Sequence, residues 1–82
     1  MSEQFAKKNL KLSLEFDNYL VKHLDILDQI PDKSWLVLTI NGDDDFNRDS
    51  ISIARKSRSR RKYVEARKSG RTWEVRPLEL NK

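Results

Sequence analysis

The sequence predicts an α/β fold, on the border with α+β, in which a three-stranded mixed sheet is packed by two helices. Three observations support this class: an amphipathic helical pattern in the first third of the chain, an apolar run at residues 34–40, and a hairpin pattern near the C-terminus. With a further helical segment after the apolar run, the element order is α-β-α-β-β. We expect a single small domain that spans residues 1–82.

The first element has an ambiguous period. Alternate residues from Leu10 to Phe16 are apolar, as in a strand, whereas an overlapping set follows helical steps of three and four. That set is Leu12, Phe16, Leu20, Leu24 and Leu27. Because only the helical pattern continues for five turns, we predict a helix over residues 4–22 and a helical turn over residues 25–30, which Pro31 must end.

Residues 34–40, with the sequence Ser-Trp-Leu-Val-Leu-Thr-Ile, form the longest apolar run and favour a strand. The run does not alternate cleanly, which is typical of a strand covered on both faces. After an acidic loop we predict a helix over residues 46–58. Its inward face is expected to contain Phe46, Ser50, Ile53, Ala54 and Ser57.

A β-hairpin is predicted over residues 61–78, with Ser69-Gly70 as its two-residue loop. The resulting pairs are Lys68 with Arg71, Ala66 with Trp73, and Val64 with Val75. Their four apolar members share one face, which suits a sheet that packs on helices. The same register sets Glu65 opposite Glu74 on the other face, a pair of like charges that is unfavourable alone, with Arg67 and Arg76 on the diagonals.

The connections predict the topology of the sheet. A helix joins the strand at residues 34–40 to the first hairpin strand, so we expect these two strands to be parallel through a right-handed crossover. The last strand then adds antiparallel, and the helices cover the sheet in two or three layers.

The composition limits the classes of function. The 82 residues are 37% hydrophobic and 37% charged, which indicates a thin core under a charged surface. The absence of cysteine excludes disulfides, thiolate chemistry and cysteine metal sites. No apolar segment follows the N-terminal lysines and none approaches the ~18 residues of a membrane span, so we expect a cytoplasmic protein without a signal peptide.

The charges are divided unequally along the chain. Residues 1–54 carry six Lys and Arg against ten Asp and Glu, a net −4, while residues 55–82 carry eleven against three, a net +8. The sum is the formal charge of +4. This division indicates an anionic partner for the C-terminal part, or self-association between unlike halves.

The strongest functional signal is a basic run in which six of the eight residues at 55–62 are Lys or Arg. Arginine matches phosphate oxygens with a rigid fork of donors, and neutralised phosphates release counterions. The predicted anion site consists of Arg55, Lys56, Arg58, Arg60, Arg61 and Lys62, supported from the hairpin by Arg67, Arg71 and Arg76. A solvated helix C-terminus would account for only two or three of these cations.

Other chemistry has weaker support. The acidic residues 43–45 and Asp49 have the oxygen ligands of a metal site, but they lack the spacing of a calcium loop and suit a helix N-terminus equally well. His23 is the only histidine, and we expect it to serve a helix end. We predict no catalytic residue, no cofactor and no metal site.

A set of framework residues carries a family resemblance. These residues are Lys8-Asn9-Leu10, Leu12-Ser13, Glu15-Phe16, Tyr19-Leu20, His23 and Ile30-Pro31-Asp32. The pattern resembles a small, uncharacterised prokaryotic α/β family over most of residues 5–67. The resemblance implies that a strand, an acidic loop, a helix and a further strand follow Asp32, and it implies no known activity.

Two hypotheses of function follow, and a small enzyme, whose hydrolytic turnover would be lost on changing Asp43 or Asp45 to Asn, is a third class that we do not favour. The first is a small non-enzymatic binding protein that docks a nucleic acid or another polyanion through residues 55–62 and the hairpin. The alternative is a protein-interaction or regulatory module, similar to an antitoxin, that binds an acidic protein or associates with itself. A homodimer through the first helix is one form of the alternative, and no membrane partner is expected.

Overall fold

The computed structural model describes residues 3–57 and 61–80. Within these ranges the elements are α1 (Glu3–Lys22), α2 (Leu24–Leu27), β1 (Trp35–Ile40), α3 (Asp44–Ser57), β2 (Tyr63–Ser69) and β3 (Thr72–Leu78). The short α2 follows α1 after a break at His23, and with these two counted as one helical segment the order is the predicted α-β-α-β-β. The fold class is confirmed, and the element boundaries differ from the predicted ones by only a few residues.

The sheet has the strand order β1-β2-β3, which places β2 in the centre. β1 and β2 are parallel, with Trp35 beside Tyr63 at one end and Ile40 beside Lys68 at the other. β2 and β3 are antiparallel. The mixed three-stranded sheet that the sequence predicts is therefore present.

α1 covers the sheet face that carries Leu38, Ala66 and Trp73. Its contribution to the core is Leu12 and Phe16, and the Phe16 ring lies 4.9 Å from the Trp73 ring, measured between centroids. Such a tilted aromatic pair adds to the area that both rings bury. These contacts form the main hydrophobic core.

The ambiguous period of the first segment has a structural explanation. Leu12 and Phe16 are buried against the sheet, whereas Leu10 and Leu14 on the same helix are exposed. The apparent alternation therefore arises from two interleaved helical stripes, one that faces the core and one that faces solvent.

α3 begins in the main core, where Phe46 packs with Leu38 and stacks on Phe5 of α1, and it ends beside the opposite face of the sheet. Val37 and Thr39 on this face and Leu38 on the α1 face are all buried, so β1 is covered on both sides as its unbroken apolar run predicts. The hydroxyls of Ser57 at the end of α3 and Tyr63 at the start of β2 lie 2.9 Å apart. This contact brings the end of α3 next to the first residue of β2.

The start of α3 is fixed by Asp43. The Asp43 carboxylate accepts a hydrogen bond from the backbone N–H of Phe46 at 3.2 Å, which is the geometry of a helix N-cap. The helix accordingly begins at Asp44, two residues earlier than the predicted residue 46. The predicted inward face is correct for Phe46, Ser50 and Ala54, all buried.

The prediction for the rest of that inward face was incomplete. Ile53 is only half-buried, and Ser57 is exposed although its hydroxyl is bonded. Asn47, which the apolar pattern does not indicate, is 8% exposed. A polar side chain this deeply buried needs hydrogen-bond partners, and Asn47 has two.

Asn47 closes one end of the edge strand β1. Its side-chain oxygen accepts from the backbone N–H of Ile40 at 2.7 Å, and its amide nitrogen donates to the Ile40 carbonyl at 2.8 Å. Trp35 and Asn41 direct their backbone N–H groups to the β2 side, so Ile40, one residue from Asn41, faces outward. The Asn47 amide thus replaces a neighbouring strand at this point of the sheet edge.

The hairpin register differs from the predicted one. The observed pairs include Ser69 with Thr72, Lys68 with Trp73 and Ala66 with Val75, so the loop is Gly70-Arg71 rather than Ser69-Gly70. Gly70 has φ of 62° whereas Arg71 does not have a positive φ, as in a type II′ turn with glycine at its first central position. A shift of two residues leaves every side chain on its predicted face.

Candidate functional site

The predicted anion site is centred on the junction between α3 and β2. Arg55 and Lys56 occupy the last turn of α3, and Arg61 and Lys62 directly precede β2; all four are exposed. The Ser57–Tyr63 hydroxyl contact holds the two elements together at this point. We call these four cations the basic end.

The start of β2 is anchored independently of the cations. The Lys62 carbonyl accepts a hydrogen bond from the backbone N–H of Trp35 at 2.8 Å, and the Trp35 and Tyr63 rings lie 6.1 Å apart between centroids. The backbone of Lys62 is thereby fixed at the end of the parallel β1–β2 pair where both strands begin. The predicted site residues Arg58 and Arg60 lie outside the described residues.

Arg67 and Arg76 are ion-paired with Glu65, although Arg76 also lines a cavity of about 370 Å³ together with Lys62 of the basic end. Their side chains converge on Glu65, whose side chain is only 3% exposed in the middle of the central strand. Glu65 Oε2 accepts from Arg67 Nε at 3.1 Å, and Glu65 Oε1 accepts from Arg76 Nε at 3.1 Å. The hydroxyl of Thr39 on β1 donates to Glu65 Oε2 at 2.6 Å, which links all three strands.

The protonation of Glu65 follows from these contacts. Burial raises the pKa of the Glu65 carboxyl, but the hydrogen bonds from Thr39, Arg76 and Arg67 together lower it by more. The net pKa lies below the ordinary value of 4.5, so the carboxylate is charged at neutral pH. The charge of Glu65 therefore offsets part of the positive charge that Arg67 and Arg76 would offer to a polyanion.

Arg71 lies at the tip of the hairpin, at the far end of β2 from Lys62. The seven residues of β2 place these two ends roughly 20 Å apart. Arg71, Lys68 and Lys22 line a cavity of about 370 Å³ between α1 and the hairpin. Lys68 is ion-paired with Glu15 of α1, which lines the same cavity.

Lys22 was not predicted as a member of any basic cluster. It lies 49 positions before Arg71 in the sequence, and only the packing of α1 against the hairpin brings the two into one cavity. No local pattern signals such a contact. The basic residues of the C-terminal part are therefore distributed over three places: the basic end, the Glu65 cluster and the hairpin tip.

The acidic loop serves the N-terminus of α3. A hydrogen bond from Lys8 and the backbone N–H of Phe46 lower the pKa of Asp43, and Asp45 pairs with Arg48 at 3.0 Å. Negative charge in the first turn complements the helix dipole. Within residues 3–57 and 61–80, no group of three or more His, Asp or Glu side chains is arranged to hold a metal ion.

His23 lies at the break between α1 and α2. Its Nδ1 lies 2.9 Å from the carbonyl oxygen of Tyr19, an acceptor, so Nδ1 carries the proton. The two rings are stacked, with 3.8 Å between their centroids. His23 thus satisfies a carbonyl in the last turn of α1, in keeping with the expected role at a helix end.

The solvent-facing side of α1 carries an apolar surface. We call it the outer stripe; it consists of Leu10, Leu14 and Val21 on α1, and we include the exposed Leu24 and Leu27 of the adjoining α2. Their exposed fractions are 62%, 57%, 74%, 62% and 46% in that order. The alternation of apolar residues from Leu10 to Phe16 includes members of both the outer stripe and the core stripe. The sequence alone does not show which of the two stripes is exposed.

Comparison with models of protein families gives a match. A family model described as a family of unknown function (DUF5647) covers residues 4–76. The chain belongs to this family. Membership confirms the predicted resemblance to a small uncharacterised domain family, and DUF5647 carries no assigned activity that could be transferred.

No curated protein and no solved structure matches this DUF5647 chain. In the part of the chain that the structure describes, none of the helices combines the length and apolar character needed to cross a membrane. The cytoplasmic location stays a prediction.

Proposed function

We propose that this protein is a small non-enzymatic binding protein that docks nucleic acid, or another polyanion, on the basic end. The observation that carries the proposal is the contact between Ser57 and Tyr63, which brings cations from two different elements to one end of the molecule. Phosphate binding needs several cations close together, because each neutralised phosphate adds to the counterion release.

The availability of these cations supports the proposal. Lys7, Lys8 and Arg48 are held in ion pairs with carboxylates of their own surroundings. Among the ion pairs of the described residues, none includes Arg55, Lys56 or Lys62. The charges of Arg55, Lys56 and Lys62 therefore remain available to an external anion.

The helix dipole is an insufficient explanation for the cluster. Cations in the last turn of a helix are stabilised by its negative end, and this accounts for Arg55 and Lys56. Arg61 and Lys62 lie outside any helix. The helix dipole therefore does not account for these two cations. Repulsion from Arg55 and Lys56 makes their position unfavourable unless an anion binds.

The proposal is tested by fluorescence anisotropy with labelled duplex DNA and single-stranded RNA, titrated from low to physiological salt. The Arg55→Gln, Lys56→Gln, Lys62→Gln variant removes three cations of the basic end. We expect binding that persists at physiological salt in the parent protein. In the variant, the slope of log affinity against log salt should fall by about 2 to 3, because each phosphate contact contributes about 0.9.

The matched control removes equal charge elsewhere. Lys7→Gln, Lys11→Gln and Arg48→Gln are changes at exposed positions on α1 and the first half of α3. We expect this variant to keep the parental slope. Equal loss in both variants, or parental binding that vanishes by physiological salt, would show that the charge is generic and would refute the proposal.

An acidic protein is the alternative partner for the same surface. Such a complex would be anchored by buried apolar contacts and would depend less steeply on salt than nucleic-acid binding. A stoichiometric complex with an acidic protein, in a protein that shows no nucleic-acid binding, would favour the interaction-module hypothesis over the proposed function.

A further inference from the structure

The outer stripe lies on the side of α1 that faces away from the core. At 100° per residue, Leu10, Leu14 and Val21 fall within about 40° of one another and roughly 160° from the centre of the buried stripe of Leu12 and Phe16. An isolated exposed leucine is ordinary, whereas three exposed aliphatic side chains on the side of a helix opposite the core, interrupted by Asp17, are not. This side of α1 thus combines an apolar row with the charged residues Glu3, Lys7 and Asp17.

We infer that the outer stripe is the interface of a homodimer, in which α1 and α2 of two copies pack in antiparallel orientation about a two-fold axis. The interface uses elements other than the basic end, so the inference does not depend on nucleic-acid binding. The partner that covers the outer stripe is a second copy of this chain.

The exposed area is sufficient for such a dimer. Five aliphatic side chains that expose about 100 Å² each present on the order of 500 Å² of apolar surface, the upper range for a monomer. Two copies would then bury about 1,000 Å² of apolar surface, and the surrounding polar rim brings the total into the range of specific interfaces. A two-fold contact buries the same patch on both copies and needs no second complementary surface.

The charges around the stripe favour a second copy over a partner of one charge sign. Lys8 and Glu15 are held in ion pairs with Asp43 and Lys68 of the rest of the domain. Without these two, residues 3–14 carry two lysines and one glutamate, a net +1, whereas residues 15–28 carry one lysine and three aspartates, a net −2. A uniformly acidic or basic partner would be repelled by one of these halves. In the antiparallel dimer the positive half of each copy faces the negative half of the other.

The oligomeric state tests the inference. We expect the 9.7 kDa chain to sediment at twice its mass at tens of micromolar in analytical ultracentrifugation and to dissociate on dilution. The Leu10→Glu, Leu14→Glu variant places two charges in the apolar interface and should weaken dimerisation at least about 100-fold. Both positions are exposed, so circular dichroism should show an unchanged fold.

The control variant carries the same added charge outside the stripe. Gln4 and Asn41 are exposed residues at the start of α1 and after β1, and Gln4→Glu with Asn41→Glu should leave the dimer intact. A parent that stays monomeric up to several hundred micromolar would overturn the inference. A dimer that survives the Leu10 and Leu14 changes would overturn it as well.

Cross-linking tests the antiparallel orientation. The chain has no cysteine, so single cysteines at the two ends of the stripe report their proximity without background. A mixture of Lys7→Cys and Asp28→Cys chains should form the mixed disulfide in preference to either homodisulfide. Predominant homodisulfides would show a parallel arrangement and would refute the proposed orientation.

Discussion

Glu65 is the residue that determines most about the sheet. A carboxylate in the middle of the central strand is costly to bury unless it is paired and hydrogen-bonded. Here Thr39, Arg67 and Arg76 supply donors from all three strands. The cluster ties β1, β2 and β3 together, because loss of any one strand would leave the buried charge without part of its solvation.

The Glu65→Gln variant tests this role. The substitution keeps the shape of the side chain but removes the charge that accepts three hydrogen bonds, so we expect the free energy of unfolding to fall by about 2 kcal/mol at pH 7. Chemical denaturation with urea measures the change. Glu74→Gln, a change at an exposed position on β3, is the control and should remain within about 0.5 kcal/mol of the parent.

The same carboxyl makes stability depend on pH. The pKa of Glu65 is lower in the folded state than its ordinary value of 4.5, so the folded state binds fewer protons at this site than the unfolded state does. The stabilisation is fully present above about pH 4.5 and is lost as the pH falls through the folded-state pKa. Glu65→Gln should therefore lose less stability than the parent between pH 5 and pH 3, and an equal loss would exclude Glu65 as the cause.

Asn47 is the second residue whose role is specific to this fold. Its amide satisfies both backbone groups of Ile40 at the sheet edge, and an alanine would leave them without these partners. We expect Asn47→Ala to lower the free energy of unfolding by about 2 kcal/mol. Asn18→Ala on the exposed side of α1 is the matched control, and a similar loss in both variants would argue against a special role for Asn47.

At the scale of elements, the hairpin shows how one glycine sets a register. With Gly70 at the first central position of the turn, Glu65 lies opposite Arg76 and Arg67 lies opposite Glu74. The register expected from the sequence would have set Glu65 opposite Glu74. The type II′ turn therefore produces two pairs of opposite charge in place of one pair of like charge.

The turn gives a direct prediction. A Cβ at Gly70 would meet no atom within 4 Å, so a substitution there acts through the positive φ alone. Gly70→Ala should lower the free energy of unfolding by about 1 kcal/mol, measured by thermal or urea denaturation. Arg71→Ala, at the adjacent turn position without a positive φ, should be nearly neutral; the reverse order of effects would contradict a type II′ turn.

The sequence shows the helical period of α1 but not which side of the helix faces the sheet. The core stripe of α1 follows from its helical period, but Leu10 and Leu14 have the same apolar character as the buried positions. Period alone assigns a residue to a face of the helix, and only the position of the sheet decides which face is covered. The homodimer proposal depends on that second fact.

At the scale of the whole molecule, the fold disperses the positive charge of the C-terminal part. The sequence predicts one anion site from the density of arginine between residues 55 and 76. The structure instead places Arg71 at the opposite end of β2 from Lys62 and directs Arg67 and Arg76 to Glu65. A nucleic acid on the basic end would therefore contact fewer of these arginines than their sequence density indicates.

By itself, the sequence determined the fold class, the element order, the parallel and antiparallel pairings and the face of each hairpin side chain. These features depend on local periodicity and on short connections, which are properties of neighbouring residues. The tertiary structure decided the hairpin register, the partners of Glu65 and Asn47, the separation of the basic clusters and the exposure of the outer stripe. Those features depend on which distant segments meet, and they are set by burial and hydrogen-bond satisfaction over the whole domain.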